Sequence, residues 1–468
     1  MKAVDLSTGV AGQWAAKLLA MGGAEVIRPV FGERLAAHAA YLDGPKRLVP
    51  WTGLELLADA DLVFTTFDAG ERQGLARGLA VPASCIEVTT STFGTTGPYA
   101  SLRGGPLAAW AAGGYLHITG KPEREPLIGP EFLCEYINGY VAAIGAEAAL
   151  RQRARGAVGH VDVSAMESML LMHQTTFSLL AAGMVRQRTG RYYETYPLVS
   201  RPCRDGHVLI GVVTDEEFDR FAMAIGRPEL AADPRFADKD ARNASRDALD
   251  LEMAPFLEAH DGEAVVAILH EHGVAAAKVA GIDDIRKNPQ LAFRGYWDGP
   301  LPGNPIPPAR VFAAKSQAPK ASPLGDQSGT SLPFSGLVVA DFSVYWAGPS
   351  CTRMLAELGA RVIWVERPGS RAPTDPNDAS GNPMDVFYLK MNRRKQSLVL
   401  DLASAEGRAA ARELVARADV LVENNRPGVM TKLGLGAAEL CAAHPGLVYV
   451  SLPGYGSSGP WSQRRSYG

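Results

Sequence analysis

Cysteine is scarce and scattered: Cys85, Cys134, Cys203, Cys351 and Cys441 form no C-x-x-C pair. This excludes a zinc knuckle and a disulfide framework and fits a reducing cytoplasm. Long apolar runs are missing too. The best, Pro106 to Leu116, is cut by Gly113-Gly114, so no membrane span is expected. The start, Met1-Lys2-Ala3-Val4-Asp5-Leu6, lacks the apolar core and small-residue cleavage site of a signal peptide. Neither charge sign dominates, with 47 Lys and Arg against 50 Asp and Glu and a net charge of -3. That leaves no electrostatic footprint for nucleic acid, although a local basic cluster could still hold a small polyanion. Neither G-x-x-x-x-G-K-[ST] nor G-x-S-x-G occurs, which argues against P-loop NTPases and the common serine hydrolases. In His270-Glu271-His272, histidines two positions apart on a helix point to different faces, so no metal site is expected.

What is present begins with length: 468 residues, 47% hydrophobic and 21% charged, imply a multidomain globular protein with two or three cores. The chain also resembles itself. Ala3-Val4-Asp5-Leu6-Ser7 followed by Ala11-Gly12 matches Val339-Ala340-Asp341-Phe342-Ser343 followed by Ala347-Gly348, an offset of 336 from Asp5 to Asp341. Ala60-Asp61-Leu62-Val63 matches Ala418-Asp419-Val420-Leu421 at 358, from Asp61 to Asp419. Phe93-Gly94-Thr95-Thr96-Gly97-Pro98 matches Tyr455-Gly456-Ser457-Ser458-Gly459-Pro460. Each copy reads as strand, Ala-Gly loop, helix of about three turns and second strand, a βαβ unit. The first copy gives no sign of the segment from Asn392 to Leu402.

Between the copies, Val141 to Arg153 reads as an Ala-rich helix, Gly159 to Val163 as a strand and Ala165 to Met184 as a long apolar helix. The expected organisation is an α/β large domain over 1–192, a small α+β domain over 193–299, a linker rich in Pro, Ser, Gly and Lys over 300–334, and a second nucleotide-binding half over 335–468.

Gly454-Tyr455-Gly456-Ser457-Ser458-Gly459 satisfies G-x-G-x-x-G after a strand, but Pro460-Trp461 stands where a phosphate-binding helix would start, so a strand-end loop is expected rather than an NAD site. Met391-Asn392-Arg393-Arg394-Lys395-Gln396-Ser397 places three adjacent cations before a strand. Glu366-Arg367-Pro368-Gly369 and Glu423-Asn424-Asn425-Arg426-Pro427-Gly428 end two others. Strand ends of an open α/β sheet converge on one crevice, where ligands bind.

This series, with Leu358-Gly359-Ala360 and Gly454-Tyr455-Gly456 in order, resembles the nucleotide half of the class III (CaiB/BaiF-type) CoA-transferases. The resemblance implies the CoA-transferase family III fold: a Rossmann-like large domain with a small α+β domain, here followed by a second Rossmann-like half-copy. It implies coenzyme A or acyl-CoA as substrate, a carboxylic acid as partner, no permanently bound cofactor, and a homodimer or an intrachain pseudo-dimer. Val344, Tyr345, Trp346 and Ala347 would line the CoA site. Arg367, Leu400, Asn424, Asn425 and Lys432 would contact adenosine or phosphates, with Arg394 and Lys395 nearby. In the first copy Thr65-Thr66-Phe67 replaces Glu423-Asn424-Asn425.

Catalysis in the family resembles nucleophilic exchange through an enzyme Asp that precedes a Gly-containing, Ala-rich helix. That register falls on Glu135 of Glu135-Tyr136-Ile137-Asn138-Gly139. Glu135 is therefore either the nucleophile or a structural relic, and a catalytically silent acyl-CoA-binding module stays open beside the transferase. The related acyl-CoA racemases use a His where this chain has Arg103-Gly104-Gly105-Pro106.

Overall fold

The computed structural model describes residues 1–30, 36–67, 81–130, 132–156, 159–172, 174–181, 183–190, 195–298, 332–368 and 390–466. Most of the linker read at 300–334 lies outside them, as does Gly369.

The N-terminal apolar runs become six strands, β1 (Lys2–Asp5), β2 (Glu25–Val30), β3 (Arg47–Pro50), β4 (Leu62–Phe67), β5 (Ile86–Ser91) and β6 (His160–Ser164). They form one parallel sheet in the order β3-β2-β1-β4-β5-β6. Parallel strands are covered by helices on both faces and so carry continuous apolar runs. Val4, Val63, Phe64, Ile86 and Val88 are accordingly fully buried.

Two helices, Val10–Met21 and Leu133–Arg153, cross on one face, and Gly139 sets the crossing. A Cβ there would lie 2.6 Å from the Ala11 carbonyl oxygen and 2.9 Å from Trp14 Cδ1, too close for any other residue without backbone movement. The second helix starts eight residues before the Val141 expected from its alanine run. Its opening turns are anchored by polar contacts that hydrophobic periodicity does not register. Asn138 Nδ2 donates to the Ser91 carbonyl at 3.4 Å, and Asn138 Oδ1 accepts from Ser168 Oγ at 2.8 Å. Where one helix from Ala165 to Met184 was expected, the described residues form Ala165–Met172 and Gln174–Ala181.

The middle of the chain forms an antiparallel sheet of β7 (Leu198–Cys203), β8 (Gly206–Gly211) and β9 (Ala275–Lys278). Phe218, Phe221, Phe236, Leu249 and Val265 pack against it. Its first helix, Asp215–Ala224, starts with a capping box between Thr214 and Glu217.

The C-terminal residues form β10 (Val338–Asp341), β11 (Arg361–Glu366), β12 (Gln396–Val399), β13 (Val420–Glu423) and β14 (Val448–Ser451). Their order, β12-β11-β10-β13-β14, repeats that of the first five N-terminal strands. Here the structure corrects one sequence expectation, because the segment thought missing from the first copy is present as Lys46 and β3. Arg47 pairs with Ile27 as Gln396 pairs with Ile363. The offset is 349 from Lys46 to Lys395, between the 336 and 358 read on either side, so the gain is split by β3. The two sheets differ in cover. Ile86 is fully buried in a core with Ala142, Ala143 and Ala146, whereas Val448, at the corresponding place on β14, is 57% exposed. Among the described residues no helix is long and apolar enough to cross a membrane.

Candidate functional site

The chain leaves β10 for β11 on one side and later returns to β13 on the other, so the C-terminal ends of β10 and β13 flank the switch point of the sheet. Such switch points open a crevice between strand ends. Asn424, just past β13, clamps the loop after β10: its Oδ1 accepts from Val344 N–H at 2.8 Å and its Nδ2 donates to the Val344 carbonyl at 2.7 Å. Asn425 Nδ2 reaches the Phe342 carbonyl at 3.4 Å, and Asn425 N–H is held by the buried Glu423 carboxylate at 2.8 Å. Held this way, Val344, Tyr345 and Trp346 stay 40%, 56% and 38% exposed. Tyr345 takes φ 66°, the left-handed region that bulky side chains avoid. Ala347 is the exposed first residue of the helix Ala347–Glu357, whose free N–H groups and positive dipole end open at the same place.

Arg367 is exposed immediately after β11, and Leu400 follows β12 with its N–H on the Glu366 carbonyl at 2.8 Å. Lys432 is exposed at the end of the short helix Val429–Lys432. The structure thus brings Val344, Tyr345, Trp346, Ala347, Asn424 and Asn425 together, with Arg367 and Leu400 on neighbouring strand ends. It sends the other two cations elsewhere. Arg394 Nη1 approaches the Glu357 carbonyl at 3.5 Å, at the far end of the helix, where Arg393 also pairs with Glu357. Lys395, its side chain 1% exposed, donates to Asp341 Oδ2 at 2.9 Å and Asn392 Oδ1 at 3.0 Å. A residue the sequence did not single out, Lys390, puts its ammonium 3.9 Å from the Trp346 ring centre, a cation–π contact with no sequence signature.

The matching loop of the N-terminal sheet is held by other bonds. Thr66 supplies a single contact, Gly9 N–H to its Oγ1 at 3.1 Å. Gln13 Nε2 donates to the carbonyls of Ser7 and Thr8. Lys46 Nζ donates to Asp5 Oδ2 at 2.7 Å and to the Gln13 carbonyl at 2.9 Å, and Arg28 Nη1 donates to the Asp5 carbonyl at 2.8 Å. Burial acts to raise the Asp5 carboxyl, but Lys46 and Arg28 together hold it below its ordinary value.

Beside this cluster, burial lowers the Lys17 ammonium from its ordinary 10.5 to about 8, and the charge of Lys46 adds to the effect. Between those values the unfolded chain binds the proton and the folded chain does not, so stability rises with pH across that window. Urea unfolding of wild type and Lys17→Met at pH 7.5 and 10.5 should show the wild type gaining roughly 1–3 kcal/mol on the variant. A constant difference would contradict this.

Glu135 lies in the first turn of Leu133–Arg153, after Phe132 at φ 64°. The Gly139 contact seats this helix on Ala11, so the elements that position Glu135 belong to the N-terminal sheet. The adjacent thiol is no competitor, since burial, and then the Glu135 charge, push Cys134 up to about 11. Among the described residues no helix follows Gly454-Tyr455-Gly456. His270 Nε2 bonds the Ala276 carbonyl and His272 Nδ1 the Ile268 carbonyl. Among the described residues no three His, Cys, Asp or Glu side chains gather to hold a metal.

A family model described as CoA-transferase family III matches residues 53–325 and 334–468. The chain belongs to this family. A probable CoA-transferase of Mycobacterium tuberculosis, Rv1866, is 27% identical over 457 residues, covering 89% of this chain and 56% of that protein. The chain thus spans about half the length of that relative. Succinyl-CoA–D-citramalate CoA-transferase of Chloroflexus aurantiacus is 29% identical over 63% of this chain and 81% of its own length. Among solved structures, a CaiB/BaiF family protein from Brucella suis is 29% identical, with a TM-score of 0.59 over 68% of this chain and 95% of its own. These similarities agree with the α/β architecture of parallel, Rossmann-like sheets.

Proposed function

We propose that the chain is a CoA-transferase that moves CoA between an acyl-CoA thioester and a free carboxylate, and that acyl-CoA binds at the crevice between β10 and β13. The observation that carries this reading is the exposed segment of Val344, Tyr345 and Trp346, fixed through two hydrogen bonds to Asn424. Apolar residues held in water beside a helix N-terminus suit a ligand with an apolar arm and anionic phosphates. Arg367, Leu400, Asn425 and Lys432 take the nucleotide end, and Val344, Tyr345, Trp346 and Ala347 the arm. The matching N-terminal loop, where Thr66 replaces Asn424 and Gln13 takes the carbonyls of Ser7 and Thr8, is the degenerate copy of a tandem pair.

Glu135 supplies the carboxylate. Its oxygen attacks the acyl carbon, the C–S bond breaks, and CoA thiolate leaves a mixed anhydride. The thiolate then attacks the Glu135 carbonyl, releasing the first acid and leaving a Glu135–CoA thioester. An incoming carboxylate attacks that thioester to give a new anhydride, and the returning thiolate attacks its acyl carbon, which frees Glu135 and the new acyl-CoA. The chain is read as a homodimer or an intrachain pseudo-dimer. A second reading, a silent acyl-CoA-binding module, is favoured by one observation: the Glu135 helix rests on the N-terminal helix Val10–Met21 rather than on the segment 344–346.

Incubation with acyl-CoA followed by hydroxylamine should convert Glu135 to its hydroxamate, seen by mass spectrometry. CoA binding without modification of any carboxylate would establish the silent module instead. Asn424→Ala removes both bonds to Val344 and should weaken CoA binding about tenfold to thirtyfold by calorimetry. Thr66→Ala, at the equivalent N-terminal position, should leave it within about twofold. Equal losses from both would place CoA elsewhere.

A further inference from the structure

The last helix of the antiparallel unit, Pro289–Phe293, is capped by Asn288, whose Oδ1 accepts from the N–H groups of Gln290 and Leu291 at 2.9 and 3.1 Å. Gln290 is 3% exposed, and a buried primary amide must find partners for its donors and acceptor. It finds all of them across the chain, in the glycine loop after β14. Gln290 Nε2 donates to the carbonyls of Tyr455 at 2.6 Å and Ser458 at 2.7 Å, and Gln290 Oε1 accepts from Trp461 N–H at 2.9 Å.

The loop is shaped for this contact. Gly456 and Gly459 have φ of 88° and 101°, conformations open to glycine. A Cβ on Gly459 would stand 2.5 Å from Gln290 Oε1, and one on Gly456 2.2 Å from Arg294 Nη1. The matching N-terminal loop is held differently, by its own sheet: Gly94 N–H donates to Ser91 Oγ at 2.8 Å and Thr95 N–H to Asp162 of β6 at 2.9 Å. From the C-terminal loop, Gln463 Nε2 approaches the Pro427 carbonyl at 3.5 Å, tying it to the turn that follows Asn424 and Asn425.

We propose that Gln290 is a positioning residue for the acyl-CoA crevice, through which the antiparallel unit fixes the 454–461 loop that borders the crevice beyond β13. This rests on the crevice being the CoA site. It assigns the small unit a task in ligand binding on the C-terminal sheet, which G-x-G-x-x-G read as a phosphate loop would not.

The test uses the full chain. Gln290→Glu keeps the acceptor for Trp461 N–H, removes both donors and turns charge toward the Tyr455 and Ser458 carbonyls. Gly459→Ala disturbs the same contact from the loop side, so the two variants check each other if one folds poorly. Expected are amide exchange accelerated at least tenfold and confined to 454–461, CoA affinity weakened at least tenfold, and an unchanged unfolding midpoint for the antiparallel unit. Gln290→Glu measured below the carboxyl pKa, where a protonated Glu regains one donor, should recover part of the loop protection. Wild-type exchange in both variants overturns the proposal. So does unchanged CoA affinity in a variant whose loop has loosened, and that outcome leaves the functional reading standing. A wild type that binds no CoA overturns the functional reading, and the exchange comparison then decides the clamp by itself.

Discussion

Lys395→Met will destabilise the C-terminal unit by about 3–5 kcal/mol, read as a lower urea midpoint for its unfolding. Lys395 and Asp341 have side-chain exposures of 1% and 0% and meet at 2.9 Å. Such a pair gains little over a well-packed apolar pair, because desolvation offsets the attraction. Removing one partner is different. The Asp341 carboxylate keeps Thr352 Oγ at 2.6 Å and Ser343 N–H at 3.0 Å, yet its charge remains buried with no cation paired to it among the described residues. The double variant Asp341→Leu/Lys395→Met should therefore recover much of the loss. Lys46→Met should cost less, because Arg28 Nη1 stays 3.2 Å from Asp5 Oδ1 and continues to compensate it. An exposed phosphate-binding lysine would behave oppositely, with unchanged stability and weakened CoA binding in Lys395→Met.

That contrast shows where sequence reading stops. Parallel strands announce themselves as short apolar runs, and β1, β2, β10, β11, β13 and β14 were legible for that reason. The Asp5 and Asp341 match marked the start of each βαβ unit. The run Arg393-Arg394-Lys395 suggested an anion site, but its cations diverge: two reach Glu357, and Lys395 turns inward to a residue 54 positions earlier. No local pattern distinguishes a cation that faces solvent from one that serves a buried Asp. The strand β3 escaped notice because its match is displaced by gaps on both sides, and only pairing to β2 fixes its register. The Gln290 contact was equally invisible, since it joins positions 165 to 171 residues apart. The crevice residues around Val344 and Asn424 were legible through family resemblance, while the hydrogen bonds that make them a unit needed coordinates.

Glu135→Gln should reduce CoA transfer by about 10³-fold or more while CoA affinity stays within about twofold. The amide keeps the shape of the side chain but cannot form the anhydride or the enzyme–CoA thioester. Glu135→Asp retains the carboxylate with one methylene fewer, so hydroxylamine trapping should persist, at a rate lowered by misplacement of the attacking oxygen. Cys134→Ala serves as the control, because a thiol held up at about 11 contributes no thiolate near neutral pH. A structural Glu135 would give another pattern, in which Gln and Asp variants transfer CoA as the wild type does. Loss of activity in Glu135→Gln with intact CoA binding assigns the chemistry to the N-terminal helix, and loss of affinity in Asn424→Ala assigns ligand binding to the C-terminal crevice.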